Sequence, residues 1–321
     1  MNPASSESLP VGRLGGLGAK LGQGGQAVVY AAPALSLPDA PGPLVYKEYK
    51  PGQQPPQGLR RLVKARNDLD PAERARLDRR AIWPLRVVED GSTVRGVVMH
   101  LIPPAFMQDR VLPGTGAATR STRDVQNLLI PPDRARVVGM PVPTLDQRLA
   151  LCRDLAAALH LLHRHKLVFG DLNAKNEVFS LHPDAAVMLV DCDAVRLAGS
   201  AAVVAQLNAP DWEAPERWLT VYTDRFKYGL FVLRCLSTGD QVSTTVDPGR
   251  ADAALDHQGQ IMLRAALGHI PNDRPTAQHW GRYFDHRLTG RAFVKTASTA
   301  VPEPRHEGWV RDPATGKMVR R

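Results

Sequence analysis

The chain has 321 residues, 43% of them hydrophobic and 23% charged, which supplies a sizeable core and excludes wholesale disorder. Its formal net charge of +9 and pI near 9.7 admit nucleic acid, an anionic membrane surface or phosphorylated ligands as partners, and equally an Arg-rich solvated surface. No apolar run reaches the length of a membrane span, no signal-peptide pattern opens the sequence, and Cys152, Cys192 and Cys235 lack zinc-site or disulfide spacing, so a soluble protein of the reducing cytoplasm is expected.

Residues 1–10 carry no pattern and read as a flexible leader. From Leu14 to Tyr30, apolar residues and glycines alternate as in two strands joined by a Gly-rich turn. A Pro-rich loop, Ala32 to Pro43, precedes the strand Leu44-Val45-Tyr46-Lys47. Between Leu59 and Ala81 the chain is Arg-rich, with Leu59, Leu62, Leu69 and Leu77 near helical spacing; the break at Asp70-Pro71 predicts two short helices. Trp83–Val88 and Val94–Ile102 flank Glu89-Asp90-Gly91-Ser92 and read as a hairpin. Residues 103–143, rich in Pro, Gly and Arg, resemble an insertion more than a regular element.

The second half is predicted mainly helical. Leu149, Leu151, Cys152, Leu155, Ala156, Leu159 and Leu162 mark an amphipathic helix from Leu145 to His165, and strand-like Leu167-Val168-Phe169 follows. Phe226–Leu236 and Ile261–Leu267 are further helices, with a boundary at Asn272–Thr276. Beyond Leu288 the periodicity fades into a basic tail, in which Trp309-Val310 and Met318-Val319 allow a small hairpin and, equally, a frayed end.

Chemistry-bearing residues recur in a particular order. Gly22, Gly24 and Gly25, followed by Val29, could let a backbone approach phosphates, although such a cluster alone is also a permissive turn. Lys47 ends an apolar strand, alone an ordinary place for a surface lysine. Phe169-Gly170-Asp171-Leu172-Asn173-Ala174-Lys175-Asn176 is followed, fifteen residues after Asn176, by Asp191-Cys192-Asp193. This segment is similar to a kinase catalytic loop and metal-binding triplet; phosphoryl transfer needs a carboxylate to take the acceptor's proton and oxygen ligands for Mg²⁺, and the resemblance implies Asp171 for the first task, Asn176 and Asp191 for the second.

Taken in order, these segments resemble the Gly loop, strand lysine, catalytic loop and metal triplet of the eukaryotic-like protein kinase superfamily. Trp212-Glu213-Ala214-Pro215-Glu216 is similar to the end of a kinase activation segment, Asp224–Gly229 to the start of the helix beneath the catalytic loop, and Arg274 to the partner of Glu216. The resemblance covers about Leu14 to Leu288. Trp83-Pro84, Gly96–Met99, Gly170–Asn173 and Asp191–Asp193 resemble a bacterial group associated with protein phosphatases and von Willebrand-type proteins.

The resemblance implies an α+β, bilobal protein-kinase-like fold. A small antiparallel β-sheet N-lobe would span residues 11–102, a hinge and insertion 103–143, a mainly helical C-lobe 144–288, and a basic C-terminal tail 289–321. It implies ATP and Mg²⁺ as cofactors, Lys47 on the phosphates, Met99 bordering the adenine pocket, and backbone near His100, Leu101 and Ile102 binding the base. The expected activity is transfer of the γ-phosphoryl group to protein Ser/Thr hydroxyls, this chain's own included.

Departures from the kinase pattern qualify that expectation. Ala27 stands for the third glycine, and Phe169-Gly170 for the His-Arg pair, so control by activation-loop phosphorylation is not expected. Asn173 occupies the position of the usual loop cation, leaving Lys175 to supply the charge. With Cys192 and Asp193 in place of Phe and Gly, Asp191 is expected in an active-like arrangement. Glu73, beside the shorter Asp68 and Asp70, is the candidate partner of Lys47, or else a surface helix residue. The alternatives are a small-molecule kinase of the aminoglycoside or choline type, which Glu216 and Arg274 disfavour, and a nucleotide-binding pseudokinase. Nucleic-acid binding is not expected, because no zinc knuckle, basic helix or aromatic stacking motif accompanies the charge.

Overall fold

The computed structural model describes residues 7–54, 58–111, 115–198, 209, 211–237, 241–290, 309–311 and 318–320. Alternating apolar residues build the first hundred positions around one sheet. Its strands are β1 (Ser8–Pro10), β2 (Lys20–Gln23), β3 (Ala27–Ala31), β4 (Leu44–Tyr49), β5 (Arg86–Asp90) and β6 (Thr93–His100), in the order β1-β5-β6-β4-β3-β2. β1 runs parallel to β5, and every other neighbour is antiparallel. Period-2 alternation gives the sheet two apolar faces. Val45, Tyr49, Val97 and Met99 belong to one cluster; Leu44, Tyr46 and Val98 belong to another, completed by Leu14, Ala32, Leu37 and Ala40.

The Arg-rich stretch between β4 and β5 forms α1 (Leu59–Asn67) and α2 (Pro71–Asp78). Asp70 caps α2, accepting from Ala72 and Glu73 N–H with Pro71 at the first helical position, a strong start signal. One arginine of α1 and one of β5 are core residues. Arg66 and Arg86 are buried and share Asp39, while Arg66 also forks onto Asp78. The network ties the Pro-rich loop to α1, α2 and β5, and removing one member would cost about 3–5 kcal/mol.

The flexible leader needs correction. Residues 1–6 lie outside the described residues, but Ser8–Pro10 pair with Val87–Glu89, and Glu7 O accepts from Val87 N. An edge strand this short has no room for a periodic pattern. The 103–143 segment is likewise more regular than an insertion. It holds the hairpin β7 (Met107–Val111) and β8 (Ala118–Thr122), a 3-10 turn at Val125–Leu129 and a six-residue helix α3 (Pro132–Val137). Val125, Leu128 and Leu129 are buried in the main core, and Gln126 N donates to Ala174 O at 2.8 Å, so this segment braces the loop at Phe169–Asn176.

The remaining elements are α4 (Leu145–Arg164), β9 (Leu167–Val168), β10 (Glu177–Ser180), β11 (Ala186–Leu189), β12 (Arg196–Leu197), α5 (Val221–Leu236), α6 (His257–Ala266) and α7 (Ala277–Thr289). α4 opens on a reciprocal capping box between Thr144 and Gln147. Caps at Thr220 and Asp256 start α5 and α6 five and four residues earlier than apolar spacing alone predicts. α5 is buried along nearly its whole length and packs against α4 and α6 in the largest core. Glu216 forms an ion pair with buried Arg274 at 2.6 Å, as the sequence predicts.

The tail segments β13 (Trp309–Arg311) and β14 (Met318–Arg320) pair antiparallel, one of the two arrangements the sequence left open; residues 291–308, 312–317 and 321 lie outside the described residues. The fold is mixed, with a six-stranded sheet drawn from residues 8–100 and, among the described residues, seven α-helices of which α4–α7 follow it. That segregation along the chain suits an α+β arrangement. No helix among the described residues is long and apolar enough to cross a membrane.

Candidate functional site

Alternation along β4 sets Val45, Lys47 and Tyr49 on one face, with Lys47 opposite Val29 of β3 and Val97 of β6. Gly96 makes this close pairing possible, since a Cβ there would sit 2.2 Å from Lys47 O. Lys47 is buried, and its Nζ bonds to Asp191 and, at 2.9 Å, to Asp193 Oδ1. Tyr49 donates to the other oxygen of Asp193 at 2.6 Å. Burial opposes the charge on Lys47, but Asp193 and Asp191 outweigh it and hold the pKa above its ordinary value, so the ammonium persists. Burial and Asp193 push the Tyr49 phenol upward and keep it a donor.

The partner expected for Lys47 is thereby corrected. Glu73 pairs with Arg164 at the end of α4 and with His165 just beyond it, Asp68 with Lys64, and Asp70 caps α2. α1, which packs beneath this face, offers arginines and lysine but no glutamate. Asp193 takes that place. Tyr49, two residues beyond Lys47 on the same face, was the available signal.

Below the sheet, the loop after β9 is braced at almost every residue. Gly170 turns the chain at φ +79°, a conformation that favours glycine. Its N–H and that of Phe169 donate to Asp224 at the start of α5, each at 2.8 Å. Asp171 accepts from Asn173 at 3.1 Å and Asn176 at 2.7 Å. Burial raises its carboxyl above the ordinary range, against Lys227, Asn173 and Asn176 pulling it down. Asn173 is itself buried, turned back onto Asp171, with its N–H donating to Glu177. Lys175 is exposed, and its charge acts on Asp124. Lys227 was not anticipated: buried in α5, it donates to Gly170 O at 2.7 Å.

A hairpin joins the two sets of residues. β10 pairs with β11 in the register Glu177 to Leu189, and Val190 N donates to Asn176 O at 2.8 Å. Asn176 enters the hairpin just as Asp191 leaves it, so fifteen residues of separation close to a side-by-side placement. Asp191 stands at φ +60° with its side chain 49% exposed.

Two observations are compatible with Mg-ATP. First, Asn176 spends its NH₂ on Asp171, which leaves its amide oxygen for a cation beside Asp191. Second, Gly22, Gly24 and Gly25 have no positive φ, and a Cβ on any of them meets nothing within 4 Å. The fold itself does not require those glycines, whereas a close external ligand would.

Val45, Met99 and Val178, with half-buried Val29, Ile102 and Val190, form part of one apolar cluster on the Lys47 side, a wall suited to a flat base. His100, adjacent to Met99 and paired with Leu44, falls on the opposite side of the sheet. It lines a cleft of about 590 Å³ with Asp39, Asp78 and Arg74, whose other walls include Leu101, Ile102 and Met188. No known family model and no curated protein matches this chain.

Proposed function

We propose that this chain is a Mg-ATP-dependent protein kinase of the eukaryotic-like class, the sheet and the helical region being its two lobes. The observation that carries the reading is the convergence of Lys47, Asp191, Asn176 and Asp171. A lysine from the sheet touches Asp191, Asp191 follows a residue bonded to Asn176, and Asn176 bonds Asp171. Mg-ATP would supply the phosphoryl group and neutralise its developing charge. Lys47 would hold phosphate oxygens, the backbone of Gly22–Gly25 would cover them, and Asn176 and Asp191 would hold the metal. Met99, Val29 and the backbone from His100 to Ile102 would seat the base.

Asp171, kept in place by two amides, would orient the acceptor hydroxyl and take its proton, a role worth about 10²–10⁴-fold in rate. The Glu216–Arg274 pair supports a protein rather than a small-molecule acceptor, with Ser or Thr as the expected hydroxyl. A phosphatase or von Willebrand-type protein as partner belongs to the same proposal. Asn173 and Lys175 bring no cation to Asp171, which favours a nucleotide-binding scaffold as the second reading.

The test is transfer of label from γ-labelled ATP with Mg²⁺, with and without a generic protein acceptor. Label on Ser or Thr that falls by about 10³-fold in Asp171→Asn supports the proposal; nucleotide binding without transfer assigns the scaffold.

A further inference from the structure

α5 begins beneath the loop and carries two buried charges, Asp224 and Lys227, three residues apart and hence on one helix face. Both close on the same residue, Gly170, one on each of its two flanking peptide units. Asp224 Oδ1 accepts the Gly170 N–H at 2.8 Å, and Lys227 Nζ donates to the Gly170 carbonyl at 2.7 Å. The residue before Asp171, in its left-handed conformation, is therefore held at both of its backbone polar groups by one rigid helix.

Lys227 sits among the carboxyl groups of Asp171, Glu177 and Asp224, of which burial pushes Glu177 well above the ordinary carboxyl range. Glu177 is fully buried, and its Oε2 has no hydrogen-bond partner. Asp224 is likewise buried. A buried ammonium is expensive unless carboxylates surround it. Burial holds the Lys227 pKa below its ordinary value, and Asp171, Asp224, Glu177 and Glu213 offset only part of that. Nothing on the loop faces inward with positive charge, because Asn173 folds back on Asp171 and Lys175 is exposed.

We infer that Lys227 is a positioning residue for the proposed transfer: from below the loop it fixes the Gly170 carbonyl, and through it the orientation of Asp171, while supplying the positive charge the loop lacks. The inference rests on the kinase reading for its activity arm and on geometry alone for its structural arm.

Lys227→Gln keeps a donor and removes the charge, and Lys227→Arg keeps both. In the full-length chain, Lys227→Gln is expected to melt cooperatively, to hold KM for Mg-ATP within about threefold and to lose about 100-fold in kcat; Lys227→Arg recovers at least about tenfold of that loss. Independently of transfer, hydrogen exchange at the Phe169, Gly170 and Asp171 amides should accelerate by about tenfold in Lys227→Gln, with α4 and α7 unchanged. Unchanged exchange at these amides overturns the inference even in a chain that transfers nothing, an outcome in which the kinase reading fails separately. Unaltered kcat in Lys227→Gln, or equal loss in both variants together with lost cooperative melting, overturns it as well.

Discussion

Two segments are proposed to meet the same nucleotide, and they are built in opposite ways. The loop Phe169–Asn176 is cross-braced by Asp224, Lys227, Glu177 and Gln126. The tip between β2 and β3 is secured by Gly24 N on Ala27 O and Lys50 Nζ on Gly24 O, and β2 is exposed throughout. The loop that would handle the acceptor is shaped before any ligand arrives, at the expense of buried charge. The hairpin that would cover phosphates is left for the ligand to shape, since few buried contacts hold it.

Breaking the braced side should have the largest effect. Asp224→Ala strands the Phe169 and Gly170 N–H groups and removes the partner of His163; a loss of about 3–5 kcal/mol in the unfolding free energy from denaturant titration is expected, with the proposed transfer abolished. The open side should respond in the reverse sense. Gly24→Ala combined with Gly25→Ala meets no atoms, so stability should stay within about 0.5 kcal/mol, while nucleotide affinity measured by titration falls. A fall in stability without a change in affinity would erase the contrast.

The smallest effect concerns the sheet alone. His100 has its pKa lowered, by burial first and by Arg66 next, against Asp78 and Asp39. The unfolded chain therefore takes up this proton before the folded one. The stability it confers is full above the ordinary value near 6.5 and is lost as pH falls. Melting temperatures at pH 7.5 and 5.5 should differ more in the wild type than in His100→Gln.

Much of this was legible in the sequence wherever a period or a cap was long enough to register. α4, the β5–β6 hairpin and the pair α1 and α2 stand where leucine spacing and Asp70-Pro71 put them. Asp171, Asn176 and Asp191 come together because a hairpin of ordinary length separates them. Other features had no periodic signature. Val125, Leu128 and Leu129 are isolated apolar residues whose burial depends on α5 and β10. Lys227 and Asp193 are charged residues in the core, where a sequence pattern assigns charge to the surface. Their roles follow from partners more than fifty residues away.

One consequence of the Lys47 contacts concerns failure rather than function. Both counter-charges of that lysine, Asp191 and Asp193, reside on a single tripeptide, while the acids of the neighbouring helices are engaged elsewhere. A displacement of α1 or α2 therefore severs neither ion pair, and a displacement of residues 191–193 severs both together. The tripeptide is a single point of failure, so its loss would register as an abrupt drop rather than a graded decline.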